Sequence, residues 1–339
     1  MAPSLDRRAA FGLAGAAGAM VALGAASPAL AKKTANDPVA SDASGARKQV
    51  AKDYKEQTKK AKGTWNSYIT IADTDGTLKA AVDDKSDVVV EAYSVNKIAV
   101  AAAVLDKVDR GQLALDTRVD VTKDIVIPDG DGIFRLDGAY PSSVTLGHVL
   151  ANLLTVSDDT AVRLCGSVCP AKELNEILKG KGFVHTQVEP VANPNRFFLG
   201  KTTPKETHEM LRQLAAGTLL SETSCAVILK LLRAPVAFTD GIRRTMSSDE
   251  RARVATKAGW FDDGRNEAGI MFDKDGKPVL TYSIFAHGQE HADDFGSTHP
   301  AVEARAVIGR KAFTAISKLG APTLRMTAPL NTYRPSNGG

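Results

Sequence analysis

Ser94-Val95-Asn96-Lys97 is the only S-x-x-K in this chain, and it opens a strongly apolar run. Residues three apart on a helix share a face, so this spacing brings the lysine amine to the serine hydroxyl. A free hydroxyl is a weak nucleophile and needs a base beside it. A lysine held away from water can lose its proton and serve as that base. The start of a helix adds unpaired backbone N–H groups beside Ser94, suited to a developing oxyanion. Covalent acyl transfer through Ser94 is the chemistry this pattern allows. Two weaker signals follow. Ser157-Asp158-Asp159 comes directly after the apolar LLTV and reads first as a helix N-cap with Ser157 as the capping residue. Lys257-Ala258-Gly259 sits in RVATKAGWF and reads first as a strand with one small residue.

The elements around these residues follow from periodicity and capping. Ala46 to Lys62 is a charged helical pattern, and Trp65 to Ala72 has strand composition. Asp75-Gly76 turns the chain towards a second strand. A long helix is expected from Ser94 to Arg110, stopped by Gly111. Thr145 opens a helix to about Thr155, and Thr203-Pro204 opens another to about Ala216. Strand patterns return at Arg253–Phe261, Asn266–Phe272 and Val279–Ala286, and an amphipathic helix closes the series from Thr298 to Leu319. Strands at both ends with helices between them predict an α+β (α/β sandwich) fold. Both chain ends then share one antiparallel sheet with flanking helices, and an all-helical lobe is inserted in the middle.

The order S-x-x-K, S-D-x, K-x-G resembles the class A β-lactamases and penicillin-binding proteins, the penicillin-recognising serine enzymes. TLGHVLANLLTVSDDTAVRLC and TTPKETHEMLRQLAAGTLLSETSCAVILKLLRAP resemble helical segments of that family, and the likeness runs from Trp65 to Leu319. The resemblance implies a catalytic set of Ser94, Lys97, Ser157 and Glu189. Ser157, assisted by Lys257, would carry a proton to the leaving nitrogen. The N–H groups of Ser94 and Trp260 would form the oxyanion hole beside Gly259. Glu189-Pro190-Val191-Ala192-Asn193 fits the family's E-x-x-L-N omega-loop pattern except at Ala192. It implies that Glu189 and Asn193 hold the water that hydrolyses the acyl-enzyme. Two positions depart from the family. Asp159 replaces an Asn that would donate to the substrate, and an ionised carboxylate only accepts; its charge would also favour a protonated Lys97. Ala258 replaces a Thr or Ser whose hydroxyl would bind the substrate carboxylate, and Arg243 or Arg244 would supply compensating charge. The implied activity is β-lactam hydrolysis. A D,D-peptidase or esterase, and a penicillin-binding sensor without turnover, stand as alternatives. The implied ligand is a small β-lactam or peptidoglycan-like acyl amide, with no cofactor and no metal.

Composition sets the remaining bounds. The 43 Lys+Arg and 39 Asp+Glu of this 339-residue chain nearly cancel, and the basic run Lys52–Lys62 is interrupted by Asp53 and Glu56, so nucleic acid is not an expected partner. Arg7-Arg8 before the Gly/Ala-rich stretch Ala9–Ala26, then Ala29-Leu30-Ala31, form a signal-peptide pattern of twin-arginine type. Residues 1–31 are therefore expected to be removed on export, with no stable membrane insertion. A flexible tail and helix at 32–63, a catalytic domain at 64–320 and a tail at 321–339 complete a secreted monomer. Three cysteines cannot all pair within one chain. Cys165 and Cys169 could bridge locally or be buried as hydrophobes, and the six histidines show no metal-ligand spacing.

Overall fold

The computed structural model describes residues 40–317 and Leu319. The expected signal peptide, the residues after it up to 39 and the tail at 321–339 lie outside the described residues.

Helix α1 (Ala43–Ala61) opens on Asp42, whose carboxylate accepts from the Gly45 N–H, and leads into strands β1 (Thr64–Ala72) and β2 (Leu78–Asp84). Strand β3 (Val90–Glu91) and a 3-10 turn (Tyr93–Asn96) precede α2 (Lys97–Asp109). Strand β4 (Arg118–Val121), α3 (Phe134–Asp137), β5 (Ser142–Thr145), α4 (Leu146–Thr155), α5 (Asp159–Val168) and α6 (Ala171–Gly180) follow. Next come the hairpin β6 (Gln187–Pro190) and β7 (Phe197–Thr202), then α7 (Pro204–Ala216), α8 (Glu222–Leu232) and α9 (Ser248–Arg251). Strands β8 (Val254–Phe261), β9 (Gly264–Phe272) and β10 (Pro278–His287) lead to α10 (Pro300–Ile316).

The main sheet has the order β2-β1-β10-β9-β8 and is antiparallel, with Thr64 opposite His287 where the two chain ends meet. Side chains alternate across it. On one face Val254, Met271, Leu280 and Tyr282 pack with Val50 and Tyr54 of α1 and Ile308 and Phe313 of α10. On the other, Ala255, Ala268, Ile270 and Phe285 join Val100 and Val104 of α2 and the helical lobe. The expected shared sheet with an inserted, mainly helical lobe is observed, but the inserted region is not all-helical: it carries the short antiparallel pairings β4–β5 and β3–β7–β6.

The caps follow the sequence at Thr145 and Thr203, whose hydroxyls accept from His148 N and Glu206 N. Ser157 differs. It adopts the left-handed φ of 58°, and Asp158 caps α5 by accepting from Ala161 N at 3.0 Å. An aspartate one position later competes for the cap and wins, which leaves the Ser157 hydroxyl available. Cys165, Cys169 and Cys225 are buried and free, so the two nearby thiols act as hydrophobes. Burial pushes the Cys169 thiol up to about 12, far from a reactive thiolate.

Candidate active site

The nucleophile candidate lies in the 3-10 turn, one turn earlier than the α-helix expected there. Tyr93, just before it, has φ 50°. A non-glycine residue in that region costs about 1–3 kcal/mol and persists only where the surroundings enforce it. Three contacts enforce it here. Ala92 N donates to Gly200 O at 2.9 Å. Asn96 Nδ2 donates to Leu199 O at 2.7 Å and Lys201 O at 3.0 Å on β7. Asn266 Nδ2 on β9 donates to Glu91 O at 2.9 Å. Gly259 seats the turn on the sheet: a Cβ there would stand 2.7 Å from Ser94 N and 2.8 Å from Val95 N. The Trp260 peptide follows directly, so the two expected oxyanion donors, Ser94 N and Trp260 N, belong to backbone segments in close contact.

Lys97 is fully buried at the start of α2. Its amine donates to Ser157 O at 2.5 Å, Ser157 Oγ at 3.1 Å and Asp159 Oδ1 at 2.7 Å. Lys257, 2% exposed, reaches the same hydroxyl from β8 at 2.9 Å and donates to its neighbour's carbonyl, Ala258 O, at 2.7 Å. Ser157 Oγ therefore bridges two buried amines. Burial pushes Lys97 below its ordinary value while Asp159 beside it pulls back. Lys257 falls well below its ordinary value, first through burial and then through the charge of Lys97.

The loop 127–134 is fastened over this turn. Asp158 Oδ2 accepts from Ile133 N at 2.6 Å and Phe134 N at 2.9 Å, and Asp159 Oδ2 accepts from Asp131 N at 2.9 Å. Gly132 allows the approach, since a Cβ there would stand 2.2 Å from Asp158 Oδ2. The Asp131 carboxyl is raised by burial and by Asp159 next to it. Beside Ser157 and Lys257 opens a cleft of about 200 Å³ lined by Leu154, Val236, Phe238, Asp240 and Trp260. The Phe238 and Trp260 rings stand 5.4 Å apart across it.

Ser157, Lys257 and Asp159 are thus gathered around Lys97, with Gly259 against the Ser94 turn. Glu189 and Asn193 are not gathered with them. Glu189 lies on β6 opposite Phe198, about half exposed, and pairs with Lys201 at 3.3 Å. Asn193 turns back on its own loop, accepting from Asn195 N at 3.0 Å. No hydrogen bond joins either to Ser94, Lys97 or Ser157 among the described residues. The physical reason is the β6–β7 hairpin, whose pairing directs Glu189 to the lysine across the ladder. Ala258 is fully buried opposite Glu267 on β9, and paired residues share a face. A hydroxyl there would meet Glu267 and Thr256 on the sheet's far side. Arg243 donates to Ala234 O and Arg244 to Ser297 O, and neither lines the cleft.

Asn96, Asn266, Asp131 and Phe238 were not singled out by the sequence. Asn96 carried a signal, a polar residue inside an apolar helical run; the other three carried none without the fold.

A model of the beta-lactamase enzyme family matches residues 48–316. No curated protein matches the chain. Among solved structures it is similar to a beta-lactamase from Sphaerobacter thermophilus, with TM-score 0.67 and 20% identity over 80% of this chain and 98% of that one. It is similar to an ancestral (GNCA) class A beta-lactamase, with TM-score 0.64 and 20% identity over 78% and 99%. It is also similar to PBP-A, with TM-score 0.62 and 17% identity over 84% and 100%. The family match covers the sheet, the helical lobe and all four residues of the Ser94–Lys97–Ser157–Lys257 set, so the chain belongs to the beta-lactamase enzyme family and has the fold of the penicillin-recognising serine enzymes.

Proposed function

We propose that this chain is an exported serine acyl hydrolase that opens β-lactam amides and forms an ester at Ser94. The observation that carries this reading is Ser157 Oγ, held at 3.1 Å from Lys97 and 2.9 Å from Lys257. Ser94 Oγ attacks the strained carbonyl, its proton enters this amine–hydroxyl group, and the oxyanion falls to the Ser94 and Trp260 N–H groups. The C–N bond then breaks as Ser157 delivers the proton to the departing nitrogen. Water hydrolyses the ester and frees Ser94.

A second reading has its own support. Glu189, expected from the omega-loop pattern to hold the hydrolytic water, pairs with Lys201 on β7 instead. That favours slow release, as in a penicillin-binding protein or D,D-peptidase. One experiment separates the two. Purified protein is exposed to fluorescent penicillin and, in parallel, to nitrocefin. A single covalent adduct that Ser94→Ala abolishes is expected on both readings, with nitrocefin turnover on the first and a long-lived adduct on the second. Rapid turnover would establish the lactamase reading, and an adduct that survives Ser94→Ala would refute the nucleophile.

A further inference from the structure

The two lysines around Ser157 are not equivalent, and the difference lies in their partners. Lys97 contacts a carboxylate, Asp159 Oδ1, at 2.7 Å in addition to Ser157 O and Ser157 Oγ. Among the described residues Lys257 contacts no carboxylate; its acceptors are Ser157 Oγ and Ala258 O. Two buried ammonium groups donating to one hydroxyl repel each other, and the arrangement is relieved when one amine is neutral. The Ser157 hydroxyl can then donate to the neutral amine and accept from the charged one. Contact with the carboxylate decides which amine keeps the proton.

From this geometry we infer that Lys257, acting through the Ser157 hydroxyl, is the proton acceptor for acylation, and that Asp159 holds Lys97 as a permanent ammonium. The inference rests on the acyl-enzyme reading above and reassigns the base within it. The charged groups around Lys257 are Lys97 from α2, Asp159 from α5 and Asp131 from the overlying loop, with Glu267 of β9 acting from the far face of the sheet. Lys97 is the cation among them, and its charge opposes a second one on Lys257. In the forward step the Ser94 O–H bond breaks as the Ser94 O–C bond forms. The Ser157 proton passes to Lys257 as Ser157 receives the proton from Ser94. When the C–N bond breaks, Ser157 gives its proton to the nitrogen and recovers one from Lys257. Protons balance, and Lys257 returns to its neutral state. Lys97 contributes a fixed positive charge that draws the hydroxyl of Ser157 towards Lys257.

Arginine keeps the charge and the hydrogen bonds of lysine but cannot act as a base. Ser94 labelling by fluorescent penicillin is therefore timed in wild type, Lys257→Arg and Lys257→Arg/Asp159→Asn. General-base assistance contributes about 10²–10⁴-fold, so Lys257→Arg is expected to slow labelling by at least about 100-fold. The double variant releases Lys97 from its carboxylate and is expected to recover at least about tenfold of that loss. Labelling of Lys257→Arg within about threefold of wild type would show that only charge is needed there and would overturn the assignment. A double variant no faster than the single one would overturn it too. A readout free of substrate comes from wild-type protein carrying ¹³C-labelled lysine. One neutral side-chain amine is expected at neutral pH, and its signal disappears in Lys257→Arg. Disappearance in Lys97→Arg instead would reverse the roles. If wild type takes no label, the β-lactam reading fails while the amine measurement still decides the base.

Discussion

The two halves of the expected catalytic cycle rest on different kinds of structure. The acylation residues sit on elements whose geometry leaves little choice. Lys97 follows Ser94 by one turn, Ser157 is forced into a left-handed turn by the Asp158 cap, and Lys257 and Gly259 share one face of a central-sheet strand. The hairpin β6–β7 is a two-strand ribbon whose register, with a shift between Gln187 and Glu189, settles where each side chain points. Contacts fixed by helix turns and a supported sheet survive sequence divergence, whereas one residue of slip in a hairpin sends a side chain to the other face.

The comparison can be broken most severely at Gly259. In Gly259→Ala the new Cβ meets the Ser94 and Val95 N–H groups at 2.7 and 2.8 Å, both of them backbone. The nucleophile turn must shift, and a displacement near 1 Å typically costs about 100-fold in rate. Stopped-flow acylation should show that loss, accompanied by a lower melting temperature, since overpacking a buried site typically costs about 1–3 kcal/mol. Asp158→Ala tests the same side through stability. It strips the carboxylate from Ala161 N, Ile133 N and Phe134 N, and a cap plus charged hydrogen bonds of this kind is worth about 2–4 kcal/mol. Urea denaturation should register a loss of unfolding free energy of that size; an unchanged value would mean the loop is held by other contacts. The smallest effect belongs to the other side. Glu189→Ala removes an exposed ion pair with Lys201, worth under about 1 kcal/mol. Ester release from Ser94 should change by less than about twofold in single-turnover measurements. Accumulation of trapped ester in that variant alone would restore Glu189 to the hydrolytic step.

The same contrast explains what could be read from the sequence. Ser94 and Lys97 were legible as a pair because three residues make one helical turn, and the structure turns the Lys97 amine to Ser157 and Asp159. The sheet formed by both ends was legible because its long strand patterns lie outside the helical stretch, whereas the short strands β4 to β7 within that stretch gave no such pattern. Ser157 was found through the order of motifs, but its role as a cap was misplaced by one residue, because Ser and Asp both satisfy capping chemistry. Asp159 was noted as a departure, and its contact with Lys97 followed. Glu189 matched a pattern of residue types, yet no local rule connects that pattern to a distance from Ser94. Asn266 holds the Ser94 turn across 175 residues of chain, and no spacing argument reaches that far.

The pairing of Thr64 with His287 places the first strand of the sheet beside the last. A ribosome releasing this chain therefore delivers β1 and β2 long before their partner exists. Until β10 emerges, the inner edge of β1 presents unpaired N–H and C=O groups, and the β8–β9 hairpin has nowhere to dock. Folding dominated by such distant pairings is slow and exposes edges prone to aggregate. The helical lobe from α2 to α8 is complete earlier and can condense on its own side chains during synthesis. Lys257 reaches Ser157 only after β8 is in place, so the partly made protein carries Ser94 and Lys97 without the second amine. On the proposed reading, chemistry at Ser94 is thus withheld until the chain is almost finished.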